Sequence, residues 1–309
     1  MNTLLILAGL ALILLGANYM TDGAAALAKR FNISEFVIGL TVVAVGTSAP
    51  ELVVSILSAL EGSGAKAIGN VVGSNLFNTY VILGICALFV PVSLTRRNMV
   101  IDIPFGIVVS VILLFVTLGG TIERMFGVVM LLIYAAIILF SIKSSKRDSA
   151  IAEESSEVKS VALWLSIIMV AGGLAGLIFG GNLFLEGAES VARQFGIPDN
   201  VIAITLLAGG TSFPELAASI VSIIKGKSDI ALGGVIGSNI ANILLVLGVS
   251  STITPLSMGS ITLYDVLMVL LGSVIVYITG FVIKKRSISR VEGAIMLAIY
   301  GGYMVWLLS

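Results

Sequence analysis

The chain has 309 residues, of which 58% are hydrophobic and 11% charged, and its formal net charge is zero. A typical soluble domain is about 25% charged and about 45–50% apolar, so the composition excludes a soluble globular enzyme. A neutral chain also gives no reason to expect nucleic acid as a partner. Histidine is absent and Cys86 is the single cysteine, so any bound metal is expected to be held by oxygen atoms.

Apolar stretches of about 20 residues, the length that an α-helix needs to cross a bilayer, recur along the whole chain. They predict an all-α polytopic membrane protein with ten transmembrane helices, numbered here in chain order. The predicted spans are residues 3–21, 36–60, 67–91, 101–118, 125–142, 161–185, 200–224, 230–254, 264–282 and 291–308.

The basic residues predict the orientation of these spans. Fourteen of the seventeen Lys and Arg residues fall in one set of loops, whereas Lys66, Arg124 and Arg193 fall in the other. By the positive-inside rule the first set is cytoplasmic, which places both termini outside. The polar segment 143–160 is then a cytoplasmic linker between spans five and six, and we expect a prokaryotic-type plasma membrane as the location.

Two blocks of sequence recur at a distance of 164 residues. AVGTSAPE at 44–51 matches AGGTSFPE at 208–215, and GNVVGSNLFN at 69–78 matches GGVIGSNIAN at 233–242. The two halves that contain them, residues 1–142 and 161–309, have five predicted spans each. Because five is odd, the second copy enters the membrane from the opposite side. Inverted repeats of this kind are typical of secondary transporters, and duplication kept only for packing is the alternative.

Glu51 and Glu215 are predicted to lie in the middle of spans two and seven. A charge at the bilayer centre costs about 2.5–3.5 kcal/mol on insertion scales and is normally paired or functional. The neighbouring spans offer no Lys or Arg at that depth, so a cation or a proton is the expected partner. Two protonated glutamates, hydrogen-bonded inside the bundle, are the alternative. Pro50 and Pro214 are expected to break the two helices and to free backbone carbonyls toward a cavity.

Hydroxyl and carboxamide side chains accompany both glutamates at helical spacing. Each one alone is more often an interhelical hydrogen bond than a ligand. Collected around two carboxylates, they suit calcium, which takes about 6–8 oxygen ligands, and sodium. The candidate neutral ligands are Thr47, Ser48, Ser74 and Asn78 in the first half, and Thr211, Ser212, Ser238 and Asn242 in the second.

Glycines recur four residues apart in spans three and eight, at Gly69, Gly73, Gly233 and Gly237. They are expected to let span three approach span two, and span eight approach span seven. The sequence has no phosphate-binding loop of the G-x-x-x-x-G-K-[ST] type, so we expect no nucleotide and no cofactor. Without histidine, Ser-His catalysis is impossible, and we expect a protein that is not an enzyme.

The pairs GTSAPE with GNVVGSNLFN and GTSFPE with GGVIGSNIAN resemble the α-repeats of the cation/calcium antiporters, above all the sodium/calcium exchanger branch. The resemblance covers nearly the whole chain. It implies four cation sites among spans two, three, seven and eight, with sodium and calcium competing for them. It also implies that spans one and six slide as a gate, and that the carbonyl oxygens of Ala44 and Ala208 join the ligands named above.

One position departs from part of that family. Potassium-dependent relatives, and some prokaryotic exchangers, have an aspartate where this chain has Asn242. With Asn78 and Asn242 both neutral, two carboxylates remain, which resembles the potassium-independent type.

The resulting hypothesis is a secondary antiporter that exchanges sodium for calcium by alternating access and extrudes calcium, working as a monomer in the lipid bilayer. The charge of the two glutamates is matched by one calcium ion or by two sodium ions, so the two cargoes would compete. Related α-repeats occur in proton/calcium exchangers, so calcium/proton antiport stays open. A passive cation channel and a receptor-like membrane protein are further alternatives.

Overall fold

The computed structural model describes residues 2–151, 161–195, 210–282 and 286–308. Nearly all of these residues are helical, and several helices contain π-helical segments. The elements before residue 152 are α1 (Asn2–Phe31), α2 (Glu35–Ile38), π1 (Gly39–Val43), α3 (Ala44–Thr47), α4 (Ala49–Leu60), α5 (Gly64–Leu76), π2 (Phe77–Ile82), α6 (Leu83–Phe89), β1 (Val92–Ser93), π3 (Asn98–Asp102), α7 (Ile103–Thr117), β2 (Thr121–Ile122) and α8 (Arg124–Ile151). Those after residue 160 are α9 (Leu163–Gln194), α10 (Phe213–Ile224), α11 (Ser228–Ala241), π4 (Asn242–Val246), α12 (Leu247–Ile253), β3 (Leu256–Ser257), α13 (Leu263–Val282), β4 (Ser287–Ile288) and α14 (Arg290–Leu308).

Seven helices in the described ranges are long and apolar enough to cross a membrane. An eighth span results when the helices on either side of Ser48 are counted as one. The chain is therefore an integral membrane protein built from apolar helices, as its composition predicts. The twelve residues of α10 are short for a span, and residues 196–209 before it lie outside the described part. The number of ten crossings stays a prediction.

The described residues form two compact units, and each unit takes segments from both halves of the sequence. Unit 1 comprises Met1–Thr47 and Leu139–Gly234, and unit 2 comprises Ser48–Ile138 and Val235–Ser309. These units do not coincide with the halves 1–142 and 161–309, which were defined by sequence repetition. The division into two five-helix repeats with a linker at 143–160 therefore stays a prediction.

Glycine contacts hold the two longest helices of unit 1 together. A Cβ atom on Gly9 of α1 would lie 2.7 Å from the carbonyl oxygen of Gly180 in α9. A Cβ atom on Gly16 would likewise lie 2.7 Å from the carbonyl oxygen of Gly173. The two backbones touch because neither helix has side chains at these points. Buried apolar side chains, among them Leu177, continue this contact into the core of unit 1.

Two short antiparallel pairs of strands, which the sequence did not predict, connect loops of unit 2. β1 pairs with β4, where Val92 is opposite Ile288, and β2 pairs with β3, where Ile122 is opposite Leu256. All four of these apolar side chains are completely buried. The pairs therefore combine backbone hydrogen bonds with apolar packing at the ends of long helices.

Corresponding elements of the two halves have matching bounds when they are shifted by 164 residues. This holds for α4 and α10, for α6 and α12, and for β1 and β3. Gly62 and Gly226, in the turns after α4 and α10, have φ angles of 71° and 73°. The duplicated sequence thus forms the same local structure twice, and the inverted placement of the copies in the membrane stays a prediction.

Candidate cation-binding site

A helix break precedes Glu51, as the proline beside it predicts. α3 ends at Thr47, Ser48 occupies the N-cap position, and α4 follows with Pro50 in its first turn. Proline is accepted there because a first-turn N–H has no acceptor within the helix. Glu51 lies in that first turn, where the positive end of the helix dipole favours a carboxylate, and its side chain is completely buried.

The second copy repeats this arrangement at Glu215. Thr211 and Ser212 form a turn, and α10 then begins with Pro214 in its first turn. Ser212 is completely buried, Thr211 is partly buried, and Glu215 is 3% exposed. Both glutamates are therefore buried carboxylates at the N-terminus of a helix.

Side chains of α5 approach Glu51 within unit 2. Ser74 Oγ donates a long hydrogen bond of 3.4 Å to Glu51 Oε1. Asn70 Nδ2 donates to the carbonyl oxygen of Glu51 at 3.1 Å and to Ser55 Oγ at 2.9 Å. The structure thus brings the predicted ligands Glu51 and Ser74 together, and it adds Asn70, which contacts the backbone of Glu51 instead of its carboxylate.

Asn78 and Asn242 lie at the beginning of π2 and π4, and both side chains are completely buried. Among the described residues, neither polar atom of the Asn78 carboxamide has a hydrogen-bond partner, and Asn242 Oδ1 has none. Buried polar atoms without partners cost about 1–3 kcal/mol, and native structures contain few of them. Such oxygens are therefore candidate cation ligands, and π-helical insertions are frequent at functional sites.

A carboxamide network within unit 2 was missed by the sequence analysis. Asn242 Nδ2 donates to Asn75 Oδ1 at 3.2 Å, and Asn75 Nδ2 donates to the carbonyl oxygen of Asn239 at 3.3 Å. Asn239 Nδ2 in turn donates to Thr79 Oγ1 at 2.7 Å. The repeated triplet Gly-Ser-Asn contained the signal, since Asn75 and Asn239 are its last residues, but only its serines were considered as ligands.

A small cavity in unit 1 brings residues from both sequence halves together. Thr47 comes from the first copy of the motif and Glu215 from the second, and both line this cavity. Thr47 Oγ1 donates to the carbonyl oxygen of Val43 at 3.0 Å and lies 3.4 Å from that of Ala44. The other lining residues are Val43, Ala218, Ser219, Ser222, Ile230, Ala231 and Gly234.

The remaining predicted ligands are placed as follows. Ser48 is 3% exposed, and Ser238 of α11 is completely buried within unit 2. The carbonyl of Ala44 belongs to α3 in unit 1. Ala208 lies outside the described residues.

The glycines pack differently from the prediction. A Cβ atom on Gly233 of α11 would overlap the carbonyl oxygen of Phe36, and one on Gly39 would lie 2.6 Å from the carbonyl oxygen of Ile230. The beginning of α11 thus packs against α2 and π1, which belong to span two, and the predicted close contact of Gly233 with span seven is wrong. Gly73 has no neighbour within 4 Å in the described part of the chain, so its predicted contact with span two is also wrong.

Comparisons with known proteins agree with this site. The family model described as sodium/calcium exchanger protein matches residues 1–143 and 165–309. The chain is 32% identical to the inner membrane protein YrbG of Escherichia coli, over 99% of this chain and 95% of that protein. It is 31% identical to the sodium/calcium exchanger MaX1 of Methanosarcina acetivorans, over 98% of this chain and 97% of that protein.

A solved structure shows the same fold. The sodium-calcium exchanger NCX_Mj, soaked with zero Na⁺ and Ca²⁺, matches with a TM-score of 0.87 and 29% identity, over 99% of this chain and 98% of that chain. The apolar helices and buried carboxylates define an integral membrane transporter. The chain belongs to the sodium/calcium exchanger family, which confirms the resemblance of its motifs.

Proposed function

We propose that this protein is a secondary antiporter that exchanges sodium for calcium across the membrane and extrudes calcium. The observation that carries the proposal is the pair of buried carboxylates, Glu51 and Glu215, each in the first turn of a helix that follows a proline-containing break. Neutral oxygen donors lie beside both of them. Family membership and the relatives that are named exchangers support sodium and calcium as the cargo.

The donor set suits these two ions. Calcium takes about 6–8 oxygen ligands from carboxylates, carbonyls and amides, and such oxygens also accept sodium. One calcium ion or two sodium ions balance two carboxylates, so the cargoes exclude each other, which is the basis of obligatory exchange. The proposed ligands are the side chains of Glu51, Glu215, Thr47, Thr211, Ser48, Ser212, Ser74, Ser238, Asn78 and Asn242, with the carbonyls of Ala44 and Ala208.

Alternating access is part of the proposal. α1 and α9 are the proposed gate, because their backbones touch at glycines and no interlocking side chains oppose sliding there. The proposed topology has ten spans in two inverted repeats, both termini outside and residues 143–160 in the cytoplasm. The protein is proposed to work as a monomer in a prokaryotic-type plasma membrane, without nucleotide.

Calcium uptake by sealed vesicles that contain the purified protein tests the proposal. Vesicles loaded with sodium and diluted into sodium-free medium with calcium should take up calcium, whereas vesicles loaded with potassium should not. Uptake that follows an imposed pH gradient and ignores sodium would establish calcium/proton antiport instead. Calcium conductance far above carrier turnover, with no counter-ion requirement, would establish a channel.

Substitution of the glutamates connects this activity to the site. Glu51→Gln and Glu215→Gln keep the side-chain size but remove the charge, and each is expected to abolish sodium-dependent calcium uptake. Glu123→Gln, at an exposed residue just before α8, is the matched control and should retain full uptake. Full calcium uptake by either site variant would contradict the proposed ligand roles.

A further inference from the structure

Asn70 connects α5 to the first two turns of α4. Its carboxamide nitrogen donates both to the carbonyl oxygen of Glu51 and to the hydroxyl of Ser55, one helical turn later. Ser55 is completely buried, and Asn70 itself is partly buried. Two hydrogen bonds from one side chain fix the beginning of α4 on α5, which also contains Ser74.

The other copy lacks this connection. At the shift of 164 residues, Glu51 corresponds to Glu215, Ser55 to Ser219 and Asn70 to Gly234. Glu215, Ser219 and Gly234 all line the small cavity of unit 1. The two acceptors of the first copy are therefore present again in the second, but a glycine occupies the position of the donor.

We infer that Asn70 is a positioning residue for Glu51, and that the absence of a counterpart at Gly234 leaves Glu215 as the more adjustable of the two carboxylates. The inference deepens the proposed function and rests on it. The bonds of Asn70 fix the backbone from which the Glu51 carboxylate projects, at the distance from α5 where Ser74 reaches Oε1. Calcium needs all of its ligands in place at once, so a loosened Glu51 weakens binding before it slows turnover.

The test compares Asn70→Ala with Ser55→Ala. Asn70→Ala removes both hydrogen bonds, and we expect the calcium concentration for half-maximal uptake to rise about three- to tenfold, with the maximal rate changing less than about twofold. Ser55→Ala leaves the bond to the Glu51 carbonyl intact, so its shift should be less than about twofold. A loss of maximal rate at unchanged half-saturation in Asn70→Ala would overturn the inference, because that is the result of a merely structural role.

The reverse substitution, Gly234→Asn, tests the second half of the inference. A Cβ atom on Gly234 would lie 3.6 Å from Val43 Cγ1, an ordinary contact, so the backbone accepts a side chain there. An asparagine at this position is expected to restrain Glu215 and to lower the maximal rate of exchange. An unchanged maximal rate would overturn the assignment of Glu215 as the adjustable carboxylate.

Calorimetric titration of the purified chain in detergent with calcium chloride separates this inference from the proposed function. Wild-type protein that binds calcium without sodium-dependent uptake would contradict exchange, while weaker binding in Asn70→Ala would still support the role of Asn70. No calcium binding by the wild type would overturn both. If Asn70→Ala does not fold, Asn70→Asp keeps the shape and loses the donor, and it should weaken calcium binding in the same direction.

Discussion

The helix pair α4 and α5 in unit 2 has a counterpart in α10 and the beginning of α11 in unit 1. The two copies have the same helix bounds, the same N-cap serine, the same proline before the glutamate and the same glycine turn after the helix. They differ where the second helix of each pair meets its neighbours. There the first copy has Gly69 and Asn70, and the second has Gly233 and Gly234. The shared motif therefore determines the local fold, and a few unshared residues determine the contacts around each glutamate.

The two equivalent glycines show this difference clearly. A Cβ atom on Gly69 would lie 3.1 Å from Cδ1 of Ile261, which is the end of a flexible side chain. A Cβ atom on Gly233 would overlap the backbone carbonyl of Phe36. Only the second glycine is required for the approach of two backbones.

The largest expected effect separates these two positions. Gly233→Ala forces α11 away from Phe36, and overpacking of this kind typically costs about 1–3 kcal/mol or more. Gly69→Ala needs only a small movement of Ile261 and should be nearly neutral. Thermal unfolding in detergent measures both, and we expect a melting temperature several degrees lower for Gly233→Ala only. Equal melting temperatures would contradict the difference between the copies.

Local signals explain what the sequence predicted correctly. Each proline fixes a break and the first turn of a helix, so the position of Glu51 and Glu215 follows from Pro50 and Pro214 alone. Their burial follows from the apolar residues around them. The composition, in the same way, is sufficient to predict an apolar helical membrane protein.

Contacts between distant segments explain what the sequence missed. The spacing of Gly233 indicates that a helix can approach, but not that its neighbour is Phe36. The role of Asn75 depends on Asn242 lying opposite it, which no local pattern indicates. Strands of two residues, such as Val92–Ser93, are too short for any alternation to be recognised.

A second comparison concerns the two carboxamides, Asn78 and Asn242. Asn78→Ala removes buried polar atoms that have no partner among the described residues, so the ion-free protein should unfold at the same temperature as the wild type or slightly above it. Asn242→Ala leaves Asn75 Oδ1 without its donor, which costs about 1–3 kcal/mol. Both variants should bind calcium more weakly, because each loses a proposed ligand.

Two measurements on the same preparations check this prediction. Thermal unfolding without calcium should separate the variants, whereas calcium titration should group them together. Unchanged calcium affinity in Asn78→Ala would remove that residue from the ligand set. A lower melting temperature of ion-free Asn78→Ala would show that its carboxamide has a structural role.

The smallest expected effect lies at the C-terminal ends of the same two helices, where α4 ends at Glu61 and α10 at Lys225. The negative end of the helix dipole favours the lysine and disfavours the glutamate by about 0.3–1 kcal/mol at low ionic strength. Lys225 Nζ also donates to Asp22 Oδ1 and to the carbonyl oxygen of Asn18. Lys225→Gln should therefore lower the melting temperature slightly, and Glu61→Gln should raise it. Both shifts should shrink at high salt, because these groups are partly or fully exposed, and shifts of the same sign would contradict a dipole effect.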